Sequence, residues 1–151
     1  MPERGVQPVT SWRESANQRT QDELDELLDA SLPFAQESLT KHGEFFPYAL
    51  ALSTSGEVRH VAGDPGEGEQ PSSIDVLRVL VEGLKGERDL LRAAAFVSDV
   101  RLPDSDAVRV ELEHVEGQAI VVLLPYKKKW LRRNIEYGEI RAAQGQAKVW
   151  T

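Results

Sequence analysis

Ala107-Val108-Arg109-Val110-Glu111-Leu112-Glu113-His114-Val115-Glu116-Gly117-Gln118-Ala119-Ile120-Val121-Val122-Leu123-Leu124-Pro125-Tyr126 is the stretch that decides the fold. Its first half alternates: Val108, Val110 and Leu112 point one way, and Arg109, Glu111 and Glu113 the other. A period of two predicts a half-buried strand. Glu116-Gly117 interrupts the run, and glycine supplies the positive φ that a tight hairpin turn requires. From Ile120 to Leu124 both sets of alternate positions are apolar, which predicts a central strand covered on both sides.

Downstream of this hairpin lie Lys127, Lys128, Lys129, Trp130, Leu131, Arg132 and Arg133, with five of the 18 basic residues of the chain. A charge run between strands reads as a solvated loop, with Trp130 and Leu131 turned inward to anchor it. A strand over 135–140, a turn at Gln144-Gly145 and a short last strand over 147–150 follow. Upstream, Pro103-Asp104-Ser105-Asp106 reads as a turn and Arg92 to Arg101 as a strand. Before that, Ser72 or Ser73 caps a helix with Ile74, Leu77, Val81 and Leu84 as its buried stripe, widened by Val76 and Leu80, and Gly86 as its end. Gly63 to Pro71 is an acidic loop rich in glycine and proline. Phe45 to Leu52 and Glu57 to Ala62, joined by Ser53-Thr54-Ser55-Gly56, read as another hairpin.

The first helix begins near Thr20, a good N-cap, and carries apolar residues at Leu24, Leu27, Leu28, Leu32, Ala35 and Leu39. Pro33 falls inside this pattern and is expected to end or kink the helix at Leu32, because proline lacks a donor and clashes with the preceding turn. His42-Gly43 reads as the C-terminal stop. The expected fold class is therefore α+β, an antiparallel sheet of five to seven strands with two main helices packed on one face. Residues 1–18 are expected to form a flexible arm, with Trp12 against the body, and residues 19–151 the single domain.

Composition narrows the function classes. A length of 151 residues suits one domain, and 40% hydrophobic and 28% charged residues are ordinary for a soluble one. The absence of cysteine excludes disulfides, thiolate metal sites and cysteine nucleophiles, and fits a cytoplasmic protein. No apolar run reaches the roughly 18 residues that span a bilayer, and the N-terminus lacks the apolar core of a signal peptide. The expectation is a cytoplasmic protein without a membrane role. A net charge of -7 argues against coating nucleic acid with the whole surface.

His42-Gly43-Glu44-Phe45-Phe46-Pro47-Tyr48, with the turn at Gly56, resembles a pattern in small uncharacterised bacterial proteins, in which a helix ends in a His-Gly-Glu-Phe-aromatic-Pro segment. The resemblance covers a minority of the chain and implies no activity and no functional residues.

Three chemistries can be assembled from the residues. His42 and Glu44, two positions apart past a helix end, are the candidate general base and its orienting carboxylate, with the bland alternative of a C-cap and a surface acid. His60 and Asp64 would extend them to a metal site of the His/carboxylate type. His114 continues the buried face of its strand and reads as a hydrogen-bonded strand-end histidine. The Lys127–Lys129, Trp130, Arg132 and Arg133 cluster could grip phosphate or an acidic protein surface, or simply be solvated. No phosphate loop and no Gly-x-Ser-x-Gly elbow is present. No cofactor is implied.

The leading expectation is a non-enzymatic protein-interaction or homodimerisation module. Its surface is the outer sheet face, Arg109, Glu111, Glu113, Val121 and Leu123, together with the basic residues 127–133. An enzyme using His42, Glu44, His60 and Asp64 is the alternative, and nucleic-acid binding through 127–133 the third.

Overall fold

The structure is a computed structural model that describes residues 13, 14, 16–62, 72–129 and 134–151. Trp12 and most of the expected arm, the acidic loop with Asp64, and Trp130, Leu131, Arg132 and Arg133 lie outside the described residues. The elements run in the order α1 (Gln18–His42), β1 (Tyr48–Ser53), β2 (Val58–Ala62), α2 (Ser73–Gly86), β3 (Leu91–Arg101), β4 (Asp106–His114), β5 (Ala119–Lys129), β6 (Asn134–Tyr137) and β7 (Arg141–Gln144). The seven strands form one antiparallel sheet in the order β2-β1-β3-β4-β5-β6, with β7 also on β5.

The deciding hairpin forms as expected. β4 and β5 pair from Asp106/Tyr126 to Glu113/Ala119, and Gly117 turns between them at φ +109. β5, however, runs on to Lys129, so Lys127–Lys129 belong to a strand and not to a loop. The expected strand over 135–140 ends at Tyr137. Gly138 donates to the Pro125 carbonyl, and β5 changes partner there from β6 to β7.

α1 departs from expectation at Thr20. Its cap is Asn17, whose side chain accepts from the Thr20 N–H at 2.8 Å. Thr20 itself is buried inside the helix. The end of the expected arm is tied down there, because Arg13 pairs with Asp25 at 2.6 Å. The helix also continues through Pro33. The Tyr48 hydroxyl enters the helical ladder at this point, donating to the Ser31 carbonyl and accepting from the Ala35 N–H. A side chain thus bonds to the helix backbone on either side of Pro33. At the far end Gly43 takes φ +74 and donates to the Leu39 carbonyl, the expected stop.

The two-helix antiparallel architecture is the expected one, but the helices cover opposite faces of the sheet. Tyr48, Leu50, Leu52, Val97, Val108 and Val110 share a core with Leu24, Leu27 and Leu39 of α1. Ala49, Ala51, Ala94 and Phe96 share another with Val76, Leu80 and Leu84 of α2. The reason lies in β1 and β3, which are apolar at every position in these stretches, so both of their faces need cover. Each fully buried leucine contributes about 1.5–3 kcal/mol. The stripe of α2 is accordingly rotated: Val76, Leu80 and Leu84 are buried, while Ile74 stays 70% exposed.

Residues 147–150 do not form the expected last strand. They cross the α2 side of the sheet and are held by a carboxylate: Glu113 accepts from the backbone N–H groups of Lys148, Val149 and Trp150 at 2.8–3.1 Å. Val149 is fully buried in the α2 core.

Candidate functional site

The candidate site is a cleft of about 650 Å³ between the second half of α1 and the β1–β2 hairpin. It is built from chain segments that the local sequence places there for separate reasons. Gly43 stops α1 and turns the chain, so that Glu44, Phe45, Phe46 and Pro47 form the cleft wall before β1 begins. The pairing of Leu50 with His60 and of Tyr48 with Ala62 sets His60 and Ala62 on the α1 side of β2. Phe34, immediately after Pro33, leans over both: its ring meets Tyr48 at 4.9 Å and His60 at 5.0 Å, edge to face.

Tyr48 is the floor. Its ring stacks on His60 at 4.8 Å and 17° and meets Phe45 at 5.9 Å. Burial pushes its ionisation well above that of a free phenol, and its hydroxyl is committed to α1, so it is not an acid or base for a ligand. Partial burial lowers the His60 pKa, which favours a neutral ring near pH 7. Phe34 and Phe46 stay 46% and 51% exposed while lining the cleft. On the rim, Lys41 pairs with Glu37 at 2.6 Å. Among the described residues Glu44 has no ion-pair partner. It does act at a distance on Asp99, whose pKa is raised first by burial and further by Asp106 and Glu44, against the hydrogen bond from Tyr126.

Of the four residues anticipated for acid–base or metal chemistry, His42, Glu44 and His60 line this one cleft, and Asp64 lies outside the described residues. The three do not draw together as ligands. Among the described residues no group of His, Asp or Glu is arranged to hold a metal ion.

The outer-face residues have another fate. Glu113 is 4% exposed and saturated by the terminal segment. Glu111 is also buried and meets Lys148 at 2.8 Å, with Arg109 at 3.9 Å. Val121 and Leu123 are half-buried, paired with Ala143 and Arg141 of β7. Lys127, Lys128 and Lys129 are exposed, and Lys129 pairs with Glu136 at 2.9 Å. Lys41 and His42 share a depression with Lys128 and Lys129, so the basic region includes the end of α1.

His114 is fully buried, as expected, and belongs to a closed network. Its Nδ1 accepts from the Glu116 N–H at 3.0 Å, so the ring proton sits on Nε2 and is donated to Glu23 at 2.9 Å. Arg92 Nε also donates to Glu23, at 2.8 and 3.0 Å. Burial alone would raise the Glu23 pKa, but the bonds from Arg92 and His114 outweigh it and hold the carboxyl below its usual range. Both histidine nitrogens are committed, which leaves no lone pair for catalysis.

Compared with known proteins, the chain matches no family model, no curated protein and no solved structure. Among the described residues no helix is long and apolar enough to cross a membrane.

The residues that the sequence reading missed are Phe34, Phe46 and Tyr48. Phe34 gave no clear signal, because it stands seven residues after Leu27, at the edge of the Leu24–Leu27–Leu39 stripe, where periodicity would bury it. Phe46 carried none, because in a run of apolar residues nothing local distinguishes the exposed one.

Proposed function

We propose that this protein is a non-enzymatic interaction module, and that it recognises its partner in the aromatic cleft and not on the outer sheet face. The observation that carries this reading is the exposure of Phe34 and Phe46 on one concave site. Large apolar rings left in water around a cavity are costly unless something covers them, and 300–1,000 Å³ is about the usual size of a recognition pocket. Of the candidate bases, His114 is sealed and the exposed His60 stacks on Tyr48, while His42 and Glu44 line the cleft without a third group to complete a metal site. The outer-face acids are occupied by the chain's own terminal segment.

The test uses a neutral apolar dye, Nile red. The native full chain should enhance its fluorescence, and Phe46→Ser combined with Phe34→Ser should abolish the enhancement while far-UV circular dichroism is unchanged. Dye binding that survives both substitutions would place the apolar site elsewhere and end this reading.

A further inference from the structure

The cleft opens beside a sheet edge that pairs with no other strand among the described residues, and the two share residues. β2 is the terminal strand in the order β2-β1-β3-β4-β5-β6. The Ser53 N–H donates to the Glu57 carbonyl, which makes Ser53/Glu57 a hydrogen-bonded pair of the hairpin. In an antiparallel ladder such pairs alternate with pairs that share no bond. Arg59 and Val61 therefore bond to β1, and Val58, His60 and Ala62 turn their N–H and C=O groups outward. The side chains of the same three residues lie on the α1 side, where His60 and Ala62 line the cleft and Val58 is 37% exposed.

Among the described residues this edge carries few of the charges and prolines that usually discourage pairing. It holds no proline and no lysine, and its one charge, Arg59, is paired with Glu87 at 2.9 Å. The charge around the cleft is mixed, with Lys128 and Lys129 beyond the end of α1 and Glu44 on the cleft wall. Lys41 is neutralised by Glu37, Glu44 has no ion-pair partner among the described residues, and the chain carries -7 overall.

We infer that the occupant of the cleft is an extended peptide segment that adds to β2. It bonds to the outward backbone groups of Val58 and His60 and sets an apolar side chain in the cleft against Phe34 and Phe46. Same-face side chains of a strand lie two residues apart, so a Lys or Arg two positions from the apolar residue shares the cleft side with Glu44. Backbone pairing supplies affinity, and the cleft and Glu44 supply selectivity. This inference rests on the cleft being the recognition site.

The experiment is a selection of random peptides on the immobilised full chain, followed by synthesis of the consensus and N-methylation of each amide in turn. The expected consensus has an apolar residue and a basic residue two apart. N-methylation should weaken binding about tenfold at alternate amides only, the equivalent of one hydrogen bond. Val58→Pro removes an outward donor that β1 does not use, and should weaken peptide binding by a similar factor while Nile red binding persists. Glu44→Gln should reduce the salt dependence. Failure to enrich any peptide while Nile red binds would overturn the strand inference and leave the cleft reading standing; failure of both overturns both. An acidic consensus, or peptides indifferent to N-methylation and to Val58→Pro, also overturns it. So does a wild-type dimer that Val58→Pro dissociates, since a second copy would then hold the edge.

Discussion

The polar groups around His114 and Glu113 and those around the cleft are drawn from the same residue types, histidine and glutamate, yet one set is closed and the other open. Glu23, Arg92 and His114 use one another's hydrogen-bonding atoms, and Glu113 closes on backbone groups near the C-terminus. At the cleft, Glu44 and His42 have no such partners among the described residues, and aromatic rings stand exposed beside them. Buried polar groups are tolerated only when satisfied, so a satisfied set is tied to the fold. An exposed set without protein partners at a concave surface is open to another molecule. Residue type did not separate the two sets, whereas burial and internal pairing did.

The largest expected effect tests the closed side. Glu113→Ala leaves the N–H groups of Lys148, Val149 and Trp150 without their acceptor and should cost about 3–5 kcal/mol, since each buried donor left unpaired costs about 1–3 kcal/mol. Thermal unfolding should show a fall on the order of 10 °C. A melting temperature within about 2 °C of wild type would mean that the clamp does not hold the fold, and the comparison would collapse.

Glu23→Ala should follow, at about 2–3 kcal/mol, since Arg92 and His114 both lose their acceptor. The pH dependence has a definite sign. The Glu23 pKa is lower in the fold than in the unfolded chain, so its ionised form stabilises the fold. That stability is fully present above the ordinary value of 4.5 and is lost as pH falls through the lower folded value. Denaturant titrations across this acid range should show a steeper loss for wild type than for Glu23→Gln; parallel curves would remove Glu23 from the account.

Tyr48→Phe sits on the boundary between the two sets, because its ring floors the cleft and its hydroxyl completes α1. Loss of the hydroxyl between Ser31 and Ala35 should cost about 1–2 kcal/mol in urea unfolding. Hydrogen exchange should quicken at Ala35, and an unchanged rate there would show that the helix passes Pro33 without help.

The smallest effect is expected on the open side. Phe46→Ser should change stability by no more than about 0.5 kcal/mol, as for an ordinary surface site, while weakening Nile red binding. A loss as large as that of Glu23→Ala would show that Phe46 serves the core, and the contrast between the two sets would no longer hold.

What the sequence determined by itself was local. Strict alternation over Val108–Leu112, the Gly117 turn, the glycine stop after His42 and the serine cap of α2 are each written within a few residues, because strand period, positive φ and capping are short-range properties. The two-helix antiparallel fold was legible from them, as was the buried His114. Tertiary structure decided the rest. Alternation told which side chains share a face, but not that Glu111 and Glu113 would be covered, since the donors for Glu113 come from residues 35–37 positions away. The hydroxyl that bonds α1 on either side of Pro33 comes from Tyr48, 13 and 17 positions along the chain. The cleft likewise exists only because α1, the segment after Gly43 and β2 meet, bringing Phe34, Phe46 and His60 together. Dihedral preference and periodicity act along the chain, whereas burial and the satisfaction of a charge depend on which distant atoms arrive.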